Sequence, residues 1–344
     1  MSPNQPKIVR NYEISRSPLY RLSNKRILAE LLGVELSVIS SLEKSNLTSQ
    51  YRIFRDRKTR RFITEPIEQL ADIHKQLLKL FSRITPPEYL HSAIKRRSYK
   101  TNAEQHISAD NLLKIDIKKF FPSVTFRYVY DFFINSLFCS KDIATILSKL
   151  CTVRTEKYGV HLPTGSCISP MLSFLANQRL FDSIKRIADL HGCIFTVYVD
   201  DITISGSKAT RALITQIAME IHKHGYGYHK IKTYHSVPAT VTGLVVSNGR
   251  LRLPHIRAKK IRELQKTLSV AKDKSMRSKL LASLVGRLSE AEQINPAYKT
   301  LRRAILSKLS DEWSNIVQYR LGKARMNRLN RVLKNGVRKK FAYK

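Results

Sequence analysis

The spacing of apolar residues changes several times along the chain, and each change predicts a different element. From Ser23, the segment SNKRILAELLG puts its apolar residues on one helical face between a capping side chain and a terminal glycine, Gly33, and Ser37 opens a second short helix. The next segment, YRIFRDRKTRRFITEP, alternates: Tyr51, Ile53 and Phe62 flank a polar, basic turn at 56–60, the pattern of a β-hairpin. Pro66 is then expected to open a helix, because Ile67, Leu70, Ile73, Leu77, Leu80 and Phe81 recur at three- and four-residue steps until Pro86 and Pro87 stop them.

The middle of the chain is richer in strand formers. LLKIDI and CIFTVYVDDITIS read as strands, with helices expected over 126–137 and 170–190 and short β-like runs at 226–234, 239–246 and 250–253. After Pro254 the pattern is helical, so the fold class expected is α+β. No 20- to 50-residue repeat is present.

Charge narrows the classes of partner. The 344 residues carry 62 Lys and Arg against 26 Asp and Glu, a net charge of +36. Residues 251–344 hold 25 of those cations and 6 of the acids, so 25 − 6 = +19 lies in the last quarter. A folded chain this basic meets a polyanion, and nucleic acid suits charge spread along the whole chain better than acidic lipid does. A content of 42% apolar residues supplies a core and excludes a disordered basic tail. Cys139, Cys151, Cys167 and Cys193 form neither a zinc pair nor a dense disulfide pattern, which points to a reducing cytoplasm. Met1–Ser15 lacks the apolar core of a signal peptide, and no 18-residue stretch is apolar enough to span a bilayer, so no membrane partner is expected.

The candidate chemistry lies in three carboxylates. Asp200 and Asp201 fall between two β-like runs, where a hairpin would present them at its tip, and Asp116 ends the run LLKID. Adjacent acids on a turn are commonly solvated, and a strand-end acid is commonly satisfied by backbone amides. Here the flanks are apolar, and repulsion between the acids calls for a cation. Carboxylates from two strands can hold two divalent ions that stabilise the attacking and leaving oxygens of an in-line phosphoryl displacement. Hard oxygen donors favour Mg²⁺ over zinc, with Mn²⁺ able to substitute.

Read in order, LLKIDIKKFFPS, LPTGSCISPMLSFLAN, YVDD, a Gly- and Tyr-rich run ending in IKTYH, and VTGLVV resemble the successive palm motifs of reverse transcriptases. NAEQH at 102–106 and VTG at 241–243 further resemble signatures of bacterial retron reverse transcriptases. The similarity runs from about Tyr51 to Leu253. It implies a right-hand polymerase: N-terminal helices and fingers over 1–105, a palm with interleaved fingers segments over 106–253, and a basic helical thumb over 254–344.

The resemblance also implies roles. Asp116, Asp200 and Asp201 would be the catalytic, metal-binding triad, and Phe121 the steric gate that excludes a 2′-hydroxyl. Lys58 and Arg61 would clamp the triphosphate, and Lys232 would stand near the leaving group. The loop Leu162–Pro170 would lie along the incoming nucleotide, with Gly165 permitting close backbone approach and Thr164 standing where Gln is usual. Asn102 and His106, with Val241, Thr242 and Gly243, would recognise the folded RNA or position the primer. Tyr226, Tyr228 and Tyr234 are candidates for stacking on bases, although strand aromatics more often pack. By charge, basic pairs such as Arg302 and Arg303 are expected to grip RNA phosphates.

The implied reaction is reverse transcription of one cognate structured non-coding RNA, primed from a 2′-hydroxyl of that RNA, using deoxynucleoside triphosphates. The product would be a branched RNA-linked single-stranded DNA (msDNA) that stays bound. Membership would also imply anti-phage defence beside a separate effector (toxin) protein, since the chain length leaves no room for a fused one. Two alternatives stand beside this reading: another bacterial reverse transcriptase of the group II intron or abortive-infection type, and a non-catalytic RNA-binding scaffold.

Overall fold

The computed structural model describes residues 11–44 and 47–341. The start of the Met1–Ser15 segment, and the outermost residues of the first and last implied domains, therefore lie outside the described residues. The chain divides into two compact units, 1–250 and 251–344.

The first unit opens with α1 (Lys25–Leu32), whose cap is Asn24 rather than Ser23: the Asn24 side chain accepts from the Arg26 and Ile27 N–H groups. Gly33 ends the helix at φ +68, a left-handed conformation that glycine adopts without strain. After α2 (Leu36–Lys44), β1 (Tyr51–Arg55) and β2 (Phe62–Pro66) form the expected antiparallel hairpin. Pro66 lies opposite Tyr51 and closes β2 instead of opening a helix. The helix α3 (Glu68–Phe81) starts two residues later and buries Leu70, Ile73, Leu77 and Phe81. His74 is buried on the same helix, bonded to Ser166 Oγ at 2.6 Å and the Leu150 carbonyl at 2.8 Å. Burial pushes it down to about 4, so it is neutral at pH 7.

Then follow α4 (Tyr99–Glu104), β3 (Asn111–Ile117), α5 (Phe120–Ser123), α6 (Phe126–Asp131) with a π-helical extension over Phe132–Ser136, and α7 (Lys141–Cys151). A small hairpin, β4 (Val153–Thr155) and β5 (Gly159–His161), precedes α8 (Ser169–Ala176) and α9 (Gln178–Leu190). The helix expected over 170–190 is thus two, broken at buried Asn177, whose amide donates to Ser173 O and whose Oδ1 accepts from Tyr226. The remaining elements are β6 (Ile194–Tyr198), β7 (Asp201–Ser205), α10 (Arg211–Lys223), β8 (Tyr228–His235), β9 (Ala239–Val241) and β10 (Leu244–Ser247), with a short strand at Arg250–Arg252. Neither α7 nor α10 was expected from the sequence. Both contain several β-branched residues, whose local preference opposes helix, and both are held by burial of one face.

The central sheet has the order β6-β7-β3-β8 and is antiparallel throughout. Alternation gives it two faces. Leu113, Ile115, Ile117, Phe195, Val197, Ile202 and Ile204 are buried in the main core, where α9 meets β6 and α10 meets β8. Lys114 and Asp116 occupy the opposite face of β3, together with Leu112.

The second unit consists of α11 (His255–Val270), α12 (Lys274–Ala291), α13 (Ala297–Lys308) and α14 (Ser310–Phe341). Its core is an aliphatic stripe from Ile261, Leu264 and Leu268 on α11, meeting Leu281, Leu284, Val285 and Leu288 on α12. Among the described residues, no helix is long and apolar enough to cross a membrane, and all four cysteines are free thiols.

Candidate active site

The turn that carries the acids is short. Tyr198 and Asp201 are already cross-strand partners, so Val199 and Asp200 alone connect β6 to β7. A two-residue turn of this kind needs left-handed backbone, and Val199 adopts it at φ +63. For a β-branched residue that conformation costs about 1–2 kcal/mol, so the surroundings must hold it. Ser92 Oγ accepts from the Val199 N–H at 3.0 Å. The chain before Ser92 also covers the outer edge of β6: Val197 N–H donates to Tyr89 O at 2.8 Å, and His91 N–H to Val197 O at 3.0 Å.

On the other side of β7, Asp116 is the direct cross-strand partner of Asp201, and Ile117 N–H donates to the Asp200 carbonyl at 3.0 Å. Three aspartates thereby share one end of the sheet. Asp200 is pushed up to about 6, first by burial and then by the charge of Asp116, with Arg61 opposing. Asp201 is also raised by burial, against the pull of Lys114, whose Nζ lies 2.8 Å from Asp201 Oδ2. Among the described residues, no three His, Cys, Asp or Glu side chains already form a coordination cluster. The donor set still fits a hard divalent cation: all three groups are carboxylates, and the repulsion that raises Asp200 is what such a cation offsets.

Lys58 and Arg61 lie in the turn between β1 and β2 and are exposed. Asp56 shapes that turn, its Oδ1 accepting from the N–H groups of Lys58 at 3.2 Å and Thr59 at 2.6 Å. The charge of Arg61 acts on Asp200. Lys232 is exposed on β8, directly across from Lys114, and its charge acts on Asp201. Phe121 is half-buried, stacked on Phe120 with ring centroids 6.2 Å apart.

Gly165 approaches β2. A Cβ there would lie 2.7 Å from Ile63 Cγ2 and 3.1 Å from Thr64 O, and its N–H donates to that same carbonyl at 3.0 Å. The close backbone approach expected of Gly165 is therefore to the hairpin. Thr164 joins in: its hydroxyl accepts from Thr64 N–H and donates to Phe62 O at 2.9 Å, while its own N–H donates to Thr64 Oγ1 at 2.8 Å.

The expected RNA-contacting set needs correction. Asn102, His106 and Val241 are each 0% exposed, so none of these side chains offers a surface to RNA. His106 bridges Thr196 Oγ1 on β6 at 2.8 Å and Ser205 Oγ on β7 at 2.6 Å, bracing the hairpin that carries the acids. Burial lowers it to about 3, so this brace is neutral. Thr242 donates to the Tyr99 carbonyl at 2.6 Å, and Thr242 and Gly243 take φ +43 and +80 at the turn between β9 and β10. Tyr226 is core, donating to Asn177 and packed against Phe120 and Tyr128. Arg302 is paired with Glu292 at 2.8 Å, whereas Arg303 is exposed. Lys114, Ser92 and Thr64 were missed. Only Lys114 carried a signal, its position two residues before Asp116.

Comparison with known proteins identifies the family. A family model described as reverse transcriptase (RNA-dependent DNA polymerase) matches residues 42–246, which include all three aspartates and β1–β9. Retron Se72 reverse transcriptase of Salmonella heidelberg (strain 579083-10) is 32% identical over 190 residues, 53% of this chain and 48% of that protein. Retron Ec86 reverse transcriptase of Escherichia coli is 30% identical over 213 residues, 59% of this chain and 65% of that protein. Retron Mx65 reverse transcriptase of Myxococcus xanthus is 31% identical over 192 residues, 50% of this chain and 44% of that protein. The chain thus spans between 44% and 65% of the length of these relatives. It belongs to the reverse transcriptase (RNA-dependent DNA polymerase) family, and the relatives named above are retron reverse transcriptases.

Proposed function

We propose that the chain is an RNA-directed DNA polymerase that copies a cognate structured RNA into an RNA-linked single-stranded DNA. The observation that carries the reading is the sheet register: Asp116 lies across from Asp201, and the Asp200 carbonyl is bonded to Ile117, so residues 85 apart in sequence make one acidic site. Asp116, Asp200 and Asp201 would hold two Mg²⁺ ions, or Mn²⁺ in their place, which supply charge stabilisation for the attacking and leaving oxygens of an in-line displacement. Arg61 and Lys58 bind the triphosphate of the incoming deoxynucleotide, Arg61 through a guanidinium fork that suits phosphate oxygens. Lys232 stabilises the charge that develops on the departing pyrophosphate. Phe121 fills the space a ribonucleotide's 2′-hydroxyl would need.

In this reading residues 1–105 supply N-terminal helices and fingers, 106–253 the palm and 254–344 the thumb. The loop 162–170 is locked to the fingers hairpin by Thr164 and Gly165. His106 braces the palm hairpin from within, and RNA is gripped by exposed cations such as Arg303. The finer proposals, msDNA synthesis primed from a 2′-hydroxyl and anti-phage defence beside a separate effector, rest on the resemblance to the retron type alone.

Primer extension on an RNA template tests the activity. Asp200→Asn with Asp201→Asn should abolish DNA synthesis while leaving RNA affinity nearly intact, since no phosphate-binding cation is removed. Extension by the double variant at near the wild-type rate would refute the site assignment. Sequencing the nucleic acid that co-purifies with the protein tests the retron part: one branched RNA–DNA species supports it, and random cellular RNA opposes it.

A further inference from the structure

The acidic end of the sheet contains a cation that the polymerase reading does not use. Lys114 precedes Asp116 by two residues on β3, so both side chains lie on one face. Its Nζ is 2.8 Å from Asp201 Oδ2, in a contact where the two side chains are only 16% and 24% exposed. Directly across from Lys114 on β8 stands Lys232. Like charges in that position oppose pairing of the strands. Asp116 and Asp201, on the same face, offset them.

We infer that Lys114 is a positioning residue that holds the Asp201 carboxylate before a divalent cation arrives, and that metal loading exchanges the Lys114–Asp201 ion pair for a metal–Asp201 contact. The inference rests on the reading of Asp116, Asp200 and Asp201 as metal ligands. The exchange needs no proton transfer: Lys114 leaves as an ammonium, and the lone pair of Asp201 Oδ2 that accepted its hydrogen bond becomes available to the ion. Two consequences follow. Without metal, Lys114 relieves the repulsion between adjacent half-buried carboxylates and stabilises the folded sheet. With metal, the entering ion competes with a cation already in place, so Lys114 sets a threshold concentration for loading.

Mn²⁺ titration followed by electron paramagnetic resonance, on protein without RNA or nucleotide, reads the exchange directly; thermal melts in chelator read the metal-free state. Lys114→Met should melt lower in chelator yet bind Mn²⁺ about tenfold more tightly, because the Asp201 carboxylate then has no ion pair to give up before it meets the ion; tenfold corresponds to about 1.4 kcal/mol. Lys114→Gln, which is polar and uncharged, should shift Mn²⁺ affinity in the same direction, whereas Lys114→Arg should titrate like wild type. In an Asp201→Asn background, Lys114→Met should no longer change Mn²⁺ affinity. Unchanged or weaker Mn²⁺ binding in folded Lys114→Met or Lys114→Gln overturns the inference, and so does a tightening that persists in full without Asp201. Primer extension by wild type is scored apart. Its absence counts against the polymerase reading, while the Mn²⁺ comparison needs no turnover.

Discussion

Asp200 shows how a functional requirement opposes folding at a single residue. Its carboxyl is raised to about 6 by burial and by Asp116, so the folded state binds the Asp200 proton more readily than the unfolded chain does. Between the ordinary carboxylate value and about 6, ν_N exceeds ν_U, and stability falls as pH rises. Asp200→Asn should therefore stabilise the metal-free protein by about 1–3 kcal/mol at pH 7.5, the gain shrinking as pH falls and approaching zero below about pH 3, where wild-type Asp200 is mostly protonated in both states. Melting temperatures in chelator across that pH range measure this. Adding Mg²⁺ should then raise the melting temperature of wild type more than that of Asp200→Asn. The acids were legible in the sequence because two β-like runs left only the turn between them. The enclosure of His106 was not, because its partners Thr196 and Ser205 lie 90 and 99 residues away and nothing local marks them.

Among elements, the contact between the loop before α8 and strand β2 decides where the basic hairpin stands. Thr164 makes three hydrogen bonds to Phe62 and Thr64, and Gly165 leaves no room for a side chain against Ile63. Thr164→Val removes the hydroxyl and leaves Thr64 N–H and Phe62 O unpartnered on that side, at a cost of about 1–3 kcal/mol. Thr164→Ser keeps all three bonds and should cost under about 1 kcal/mol. Chemical denaturation separates the two. Because the hairpin carries Arg61, Thr164→Val should also raise KM for deoxynucleotides more than it lowers kcat, with Thr164→Ser near wild type. Equal kinetic losses in both variants would detach the hydroxyl from this role. The hairpin itself was readable from its alternation and polar turn. Its docking was not, because Thr164 stands 100 residues from Thr64 and conforms to no local pattern. For α7 and α10 the reason is different: their β-branched residues weaken the local helix preference, which burial of one helical face overrides.

At the scale of the whole molecule the dominant quantity is charge, and the helical unit 251–344 concentrates it. Its 6 acids can neutralise at most 6 of its 25 cations, which leaves at least 25 − 6 = 19 without an acidic partner in their own unit. The composition made this excess plain, but which cations remain outward depends on contacts that composition does not contain. Arg302 is held by both carboxylate oxygens of Glu292, at 2.8 and 3.2 Å, and Arg277 by Glu312, whereas Arg303 is exposed. Neighbouring arginines should therefore respond differently to the same change. Each phosphate contact removed should flatten the slope of log K against log salt by roughly 0.7–0.9. Arg303→Gln is expected to flatten the slope by about that amount if it makes one such contact, and to weaken structured and scrambled RNA alike, because a phosphate contact carries no sequence information. Arg302→Gln should leave the slope nearly unchanged and instead lower the melting temperature, since it breaks a half-buried pair with Glu292. RNA affinities over a salt series, set beside thermal melts of both variants, decide the matter. If Arg302→Gln flattened the slope as much as Arg303→Gln with no loss of stability, the Glu292 pair would yield to RNA phosphate, and the internal pairing would not determine which cations grip RNA.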